Sequence, residues 1–117
     1  MKKSIVMLSS ALILTAVSAQ AALYKGQKVY SKVCIKCHTS GVEFVGGKTQ
    51  FEWESYMDNK GKKLVETHLE SDKFKEDEDY KKYKKYFESN KFKKRTKHLK
   101  EFLMEYAEDS GNVASCS

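Results

Sequence analysis

An all-α fold is what this sequence predicts, and three observations predict it. The 117 residues contain no proline, so no segment is barred from helix by a missing backbone donor. Apolar residues recur at intervals of three and four, and strict apolar–polar alternation of the strand kind is absent. Apart from Gly26, the glycines stand between the periodic runs and punctuate them.

The chain begins with the short positive head Met1-Lys2-Lys3, followed by an apolar stretch from Ile5 to Val17. The small residues of Ser18-Ala19-Gln20-Ala21 close that stretch in the pattern signal peptidase accepts. An apolar run this short reads as a secretory signal and not as a membrane span. Residues 1–21 are therefore expected to be a leader, with residues 22–117 forming one small domain. No cysteine directly follows the cleavage point, so no lipid anchor and no stable membrane attachment are expected. Losing Lys2 and Lys3 lowers the formal charge of +6 by two. A domain this small has little core of its own and is usually reinforced by a metal, disulfides or a cofactor.

The first mature helix is expected from Tyr24 to Cys37, followed by a glycine-bearing loop from Thr39 to Lys48. Thr49-Gln50-Phe51-Glu52 has the form of a capping box. It opens a helix with Trp53, Tyr56 and Met57 on one face. After Asn59-Lys60-Gly61, a third segment carries Leu64, Val65, His68 and Leu69 on one stripe. Asp77 to Phe87 makes a fourth, with Tyr80, Tyr83 and Phe87 inward. The last helix, Lys91 to Asp109, buries Phe92, Leu99, Phe102, Leu103 and Tyr106 and stops at Gly111. The lysine-rich part from Lys81 to Lys100 reads as the solvated side of the last two helices.

The chemistry is concentrated in Cys34-Ile35-Lys36-Cys37-His38. Two cysteines one helical turn apart with an adjacent histidine form the attachment signature of c-type haem. Both thiols then face one side of a flat ring, adding to its vinyl groups, and the histidine lies under the iron. A zinc site would want four ligands, generally from two such pairs, and no second pair is present. A redox dithiol belongs at the start of a helix in a strand–helix–strand setting, and no strand is visible. An isolated disulfide is the remaining reading. The third cysteine, Cys116, stands beside the C-terminus, where a free thiol could link two chains. An export signal agrees with covalent haem, which bacteria attach outside the cytoplasm. The expected compartment is the periplasm, where nucleic acid is a poor explanation of the basic charge.

With these residues in view, the chain resembles the class I c-type cytochromes over nearly all of residues 22–117. In that family an N-terminal helix crosses a C-terminal helix at a glycine flanked by aromatics and ends in CxxCH. Gly26, eight residues before Cys34, and Tyr30, four before it, match the family's glycine and aromatic positions. Leu99, Phe102 and Leu103 look like its leucine–aromatic–leucine stretch. The resemblance implies a cytochrome c-like small helical domain wrapped around one covalently attached haem c, with thioethers at Cys34 and Cys37. It also implies His38 as the proximal iron ligand.

Two family features are missing. No proline stands near Lys48 to Gln50 to supply the carbonyl that orients the proximal imidazole, so another backbone carbonyl is expected to hold Nδ1–H of His38. The usual distal methionine falls in a window, Lys82 to Asn90, that contains neither methionine nor histidine. Met104 and His98 have mostly polar neighbours at helical spacing and are expected to face water. His68 shares a stripe with Leu64 and Val65 and ranks first as the distal ligand; Met57, beside Trp53, ranks second. A haem closed by two protein ligands passes single electrons, and the exposed lysines suit redox partner proteins with acidic docking patches. If the sixth position is open, gas binding or peroxide chemistry replaces electron transfer. A zinc-bound structural module is the third class, and it would show no haem absorption.

Overall fold

The computed structural model describes residues 20–114, which are helix, turn and coil with no strand. Helix α1 occupies residues 20–32 of this range. It is followed by α2 (Gly41–Phe44), α3 (Gln50–Glu70), α4 (Asp72–Lys75), α5 (Tyr80–Phe87) and α6 (Asn90–Glu105). Short 3₁₀ turns at Cys34–Lys36 and Val45–Gly47 flank α2. The expected all-α architecture is present. The expected leader lies outside the described residues except for Gln20 and Ala21, which are helical. Among the described residues no helix is long and apolar enough to cross a membrane.

Helices α1 and α6 meet at Gly26. A Cβ built on Gly26 would collide with the backbone carbonyl oxygen of His98 and lie 2.6 Å from Cβ of Phe102. Only a residue without a side chain lets two backbones approach this closely. One turn on, Tyr30 is fully buried and its ring lies 5.7 Å from that of Phe102. The inward face of α6 is formed by Phe92, Thr96, Leu99, Phe102 and Leu103, the helical stripe its spacing predicts. Thr96 is the polar member, and its hydroxyl donates to the Lys93 carbonyl at 2.8 Å. Ser89 caps the start of α6 by accepting from the Phe92 amide at 3.2 Å.

The capping box at Thr49 forms as expected. The Thr49 hydroxyl accepts from the Glu52 amide, and the Glu52 carboxylate accepts from the Thr49 amide. Its helix packs against α6 but is not straight. Asp58 is extended, and Asn59, Lys60 and Gly61 take positive φ values of 52°, 57° and 72°. Three successive left-handed residues break the helix and re-aim its second half. Asn and Gly tolerate that region, while Lys60 is strained there. The break lies where Asn59-Lys60-Gly61 predicts a boundary.

Other boundaries differ. Helix α1 stops at residue 32, short of the expected Cys37, because the chain tightens. The Cys37 and His38 amides both donate to the Cys34 carbonyl, at 3.2 and 3.0 Å. Part of the expected loop from Thr39 to Lys48 coils into α2 and a 3₁₀ turn. Helix α5 begins at Tyr80, since the Asp77 side chain accepts from the Asp79 amide and forms a local turn. The last helix ends at Glu105, and Gly111 lies beyond it in a separate turn with φ +80°.

Candidate cofactor cavity

The tight turn after α1 gives the two motif cysteines different surroundings: Cys34 is half-buried and Cys37 exposed. Burial pushes the Cys34 thiol up to about 12, with a smaller upward push from Cys37 against the opposing effect of a backbone hydrogen bond. Both side chains nevertheless line one cavity of about 670 Å³, together with His38 and His68. That volume lies in the usual range for an organic ligand or cofactor, roughly 300–1,000 Å³.

His38 is placed by the segment that follows it. The Tyr30 hydroxyl donates to the Thr39 carbonyl at 2.7 Å and pins the chain to α1. The Trp53 indole donates to the Val45 carbonyl at 2.9 Å and pins the next turn to α3. Between these anchors Phe44 stacks on the imidazole of His38, with centroids 3.9 Å apart and planes 17° from parallel. Stacking constrains the ring by its face and leaves its in-plane nitrogen lone pair unobstructed by Phe44. Burial holds His38 below the ordinary histidine range, helped by the nearby His68 and Lys48 charges. The imidazole is thereby biased to its neutral, metal-binding form. Among the described residues, none of the hydrogen bonds brings a backbone carbonyl to the His38 ring. The ring is met on its face by Phe44 in place of the expected carbonyl contact.

His68 is fixed differently. Its Nδ1 lies 2.7 Å from the Leu64 carbonyl one turn earlier. A carbonyl can only accept, so Nδ1 carries a proton, and in the neutral ring Nε2 is the nitrogen with the lone pair. This is the arrangement by which metal-ligating histidines are usually oriented. Phe74 and Phe87 pack about the ring, at centroid distances of 5.4 and 5.3 Å. The His38 and His68 rings are 5.9 Å apart, with planes at 87°. Two imidazoles bound to one metal atom through bonds of about 2 Å have centroids on the order of 6 Å apart. The donor set, its spacing and the cavity beside the thiols therefore fit a haem. No group of three or more His, Cys, Asp or Glu side chains suited to a metal ion occurs among the described residues.

The other candidate ligands lie elsewhere. Met57 is 2% exposed and sits in the core; its methyl lies 3.7 Å from the position of a Gly61 Cβ, beside Thr96 and Phe92. It does not line the cavity. Met104 and His98 depart from the expected full exposure, for both are half-buried. The Met104 carbonyl accepts from the Gln50 side chain at 3.2 Å, and Met104 packs on the core. The Nδ1 atom of His98 is buried without a hydrogen bond, 3.9 Å from the Glu101 carboxylate. Neither residue reaches the cavity. Cys116 lies outside the described residues.

Phe44 and Phe74 were not singled out by the sequence. The only available signal for Phe44 is one aromatic residue inside a glycine-bearing loop soon after a candidate ligand. Three lysines, Lys36, Lys48 and Lys73, also border the cavity. The ammonium of Lys48 lies 5.4 Å from the Tyr56 ring centroid, within cation–π range. Comparison with protein-family models, with curated proteins and with solved structures gave no match for this chain.

Proposed function

We propose that this chain is a periplasmic monohaem c-type cytochrome that passes single electrons between redox partner proteins. The observation that carries the reading is one cavity whose wall brings together Cys34, Cys37, His38 and His68. Cys34 and Cys37 would hold the haem through thioethers, His38 would be the proximal ligand and His68 the distal one. The bound haem supplies a one-electron iron couple.

The residues of the chain set how that couple behaves. Two histidines leave no open position for a substrate, which favours electron transfer over gas binding or peroxide chemistry. The Leu64 carbonyl holds the His68 ring in one orientation through Nδ1–H. Trp53, Phe74 and Phe87, with Leu99 and Leu103, make much of the cavity wall apolar and exclude water. Imidazole in place of a thioether lowers the potential relative to a His/Met site. Lysines at the rim favour an acidic partner, with attraction that weakens in salt.

The test is expression in a host with haem-maturation machinery. The protein should be red, with haem retained through acid-acetone extraction, and losing both Cys34 and Cys37 should release it. The reduced wild type should not take up carbon monoxide, whereas His68→Ala should bind it and Met57→Leu should not. A folded, colourless wild type overturns the haem assignment. Carbon monoxide binding by the wild type overturns the electron-carrier reading in favour of an open site. If Met57→Leu alone opens the iron, the distal ligand is Met57.

A further inference from the structure

Lys48 differs from the other two lysines that line the cofactor cavity. Lys36 and Lys73 are exposed, whereas Lys48 is half-buried. Its backbone is extended, and its carbonyl accepts from the Glu108 amide at 2.8 Å, which ties this point of the wall to the C-terminal segment. The side chain reaches α3: its ammonium lies 5.4 Å from the Tyr56 ring centroid and 5.9 Å from that of Trp53. Both rings line the cavity, so they hold the ammonium at its wall.

No carboxylate of the chain answers this charge. Among the described residues Lys48 forms no ion pair. The one acid on the cavity wall, Asp77, accepts from the Asp79 amide instead. A second ammonium crowds the same ring: Lys63 lies 4.6 Å from the Tyr56 centroid and donates to the Ser55 hydroxyl at 3.4 Å. Lys63 forms no ion pair among the described residues either. The two like charges repel, and the one drawn partly out of water carries a desolvation cost that its ring contacts offset only in part. An anion inside the cavity would supply the missing counter-charge.

We propose that Lys48 pairs with a carboxylate of the bound cofactor and makes the α3 side of the cavity a carboxylate subsite. The assignment rests on the haem reading above. A haem carries two propionates on the edge away from the vinyl groups that Cys34 and Cys37 would take. Lys48 stands on another segment of the wall, between the 3₁₀ turn at Val45–Gly47 and α3. The pair sets which way round the ring sits, and it offsets a negative charge close to the iron.

The probes are mesoporphyrin and its dimethyl ester, titrated into the full chain made without haem-maturation machinery and read by quenching of the single tryptophan, Trp53. Mesoporphyrin has neither iron nor vinyl groups, so it tests the pairing without histidine ligation or thioether formation. Its outcome is therefore separate from the colourless wild type that overturns the haem assignment. Wild type should bind the diacid about tenfold more tightly than the ester, the worth of one hydrogen bond between charged groups. Lys48→Met should abolish that preference and leave the ester affinity unchanged, while Lys48→Arg should keep the preference. Lys36→Met and Lys73→Met, at exposed positions, should alter it no more than about twofold. In the haem-loaded protein Lys48→Met should lower the midpoint potential and Lys48→Arg should not, because a cation near the iron favours the less positive, reduced state. The low-spin spectrum should stay unchanged in both. A wild type without diacid preference, a preference that survives Lys48→Met, or equal weakening of diacid and ester would overturn the pairing. If the haem-free variant does not fold, the haem-loaded protein decides, and a potential unchanged by Lys48→Met overturns it.

Discussion

Replacing Gly26 by alanine tests the helix crossing that sets the position of the Cys34–His38 segment. The added methyl would collide with the His98 carbonyl and come within 2.6 Å of Cβ of Phe102. Neither obstacle can rotate away, because one is backbone and the other is the first atom of a side chain. Overpacking a core costs about 1–3 kcal/mol, and a backbone obstacle puts this case near 3. Alanine recovers about 1 kcal/mol through its greater helix propensity. The net loss is thus about 2 kcal/mol. In a domain of this size that is about 8–16 °C in thermal midpoint. Gly47→Ala is the control, since nothing lies within 4 Å of its Cβ position and its backbone is not left-handed. Urea and thermal unfolding followed by circular dichroism should show a large loss for Gly26→Ala and none beyond about 0.5 kcal/mol for Gly47→Ala. Equal stability of the two variants would refute the close crossing. The loss should also appear in site geometry, because a displaced α1 carries Cys34 and His38 away from His68.

Further outcomes follow from the site. In haem-free Cys116→Ser protein, iodoacetamide should modify Cys37 well before Cys34, whose thiol is buried and pushed up to about 12; equal rates by peptide mass spectrometry would contradict that burial. The folded haem-free chain holds His38 below its ordinary range, so the unfolded chain takes up the proton first. The stability from neutral His38 is complete above about pH 6.5 and is lost as pH falls below it. Urea midpoints should therefore drop between about pH 7 and about pH 5, and less so in His38→Gln. Cys116, beside the C-terminus, should yield a disulfide-linked dimer in an oxidising medium. Identical non-reducing gel patterns for wild type and Cys116→Ser would remove that expectation.

Local chemistry determined what could be read along the chain. The all-α class, the capping box at Thr49, the break at Asn59-Lys60-Gly61 and the buried stripe of α6 each depend on residues within a turn or two of one another. Spacing alone also marked Cys34, Cys37 and His38, and it put His68 on an inward face. The tertiary structure decided the rest, because it depends on which distant atoms meet. Met57 and His68 both lie on apolar faces, and helical periodicity cannot say which face meets the cavity. The left-handed residues between them turn Met57 into the core beside Gly61 and His68 toward His38. Met104 and His98 have polar neighbours on their own helix yet are partly covered by α1 and α3, which periodicity does not record. Phe44 follows the same rule: its place over His38 depends on Tyr30 and Trp53 each holding a carbonyl of the intervening loop. A hydrogen bond between residues eight or nine apart leaves no period in a sequence.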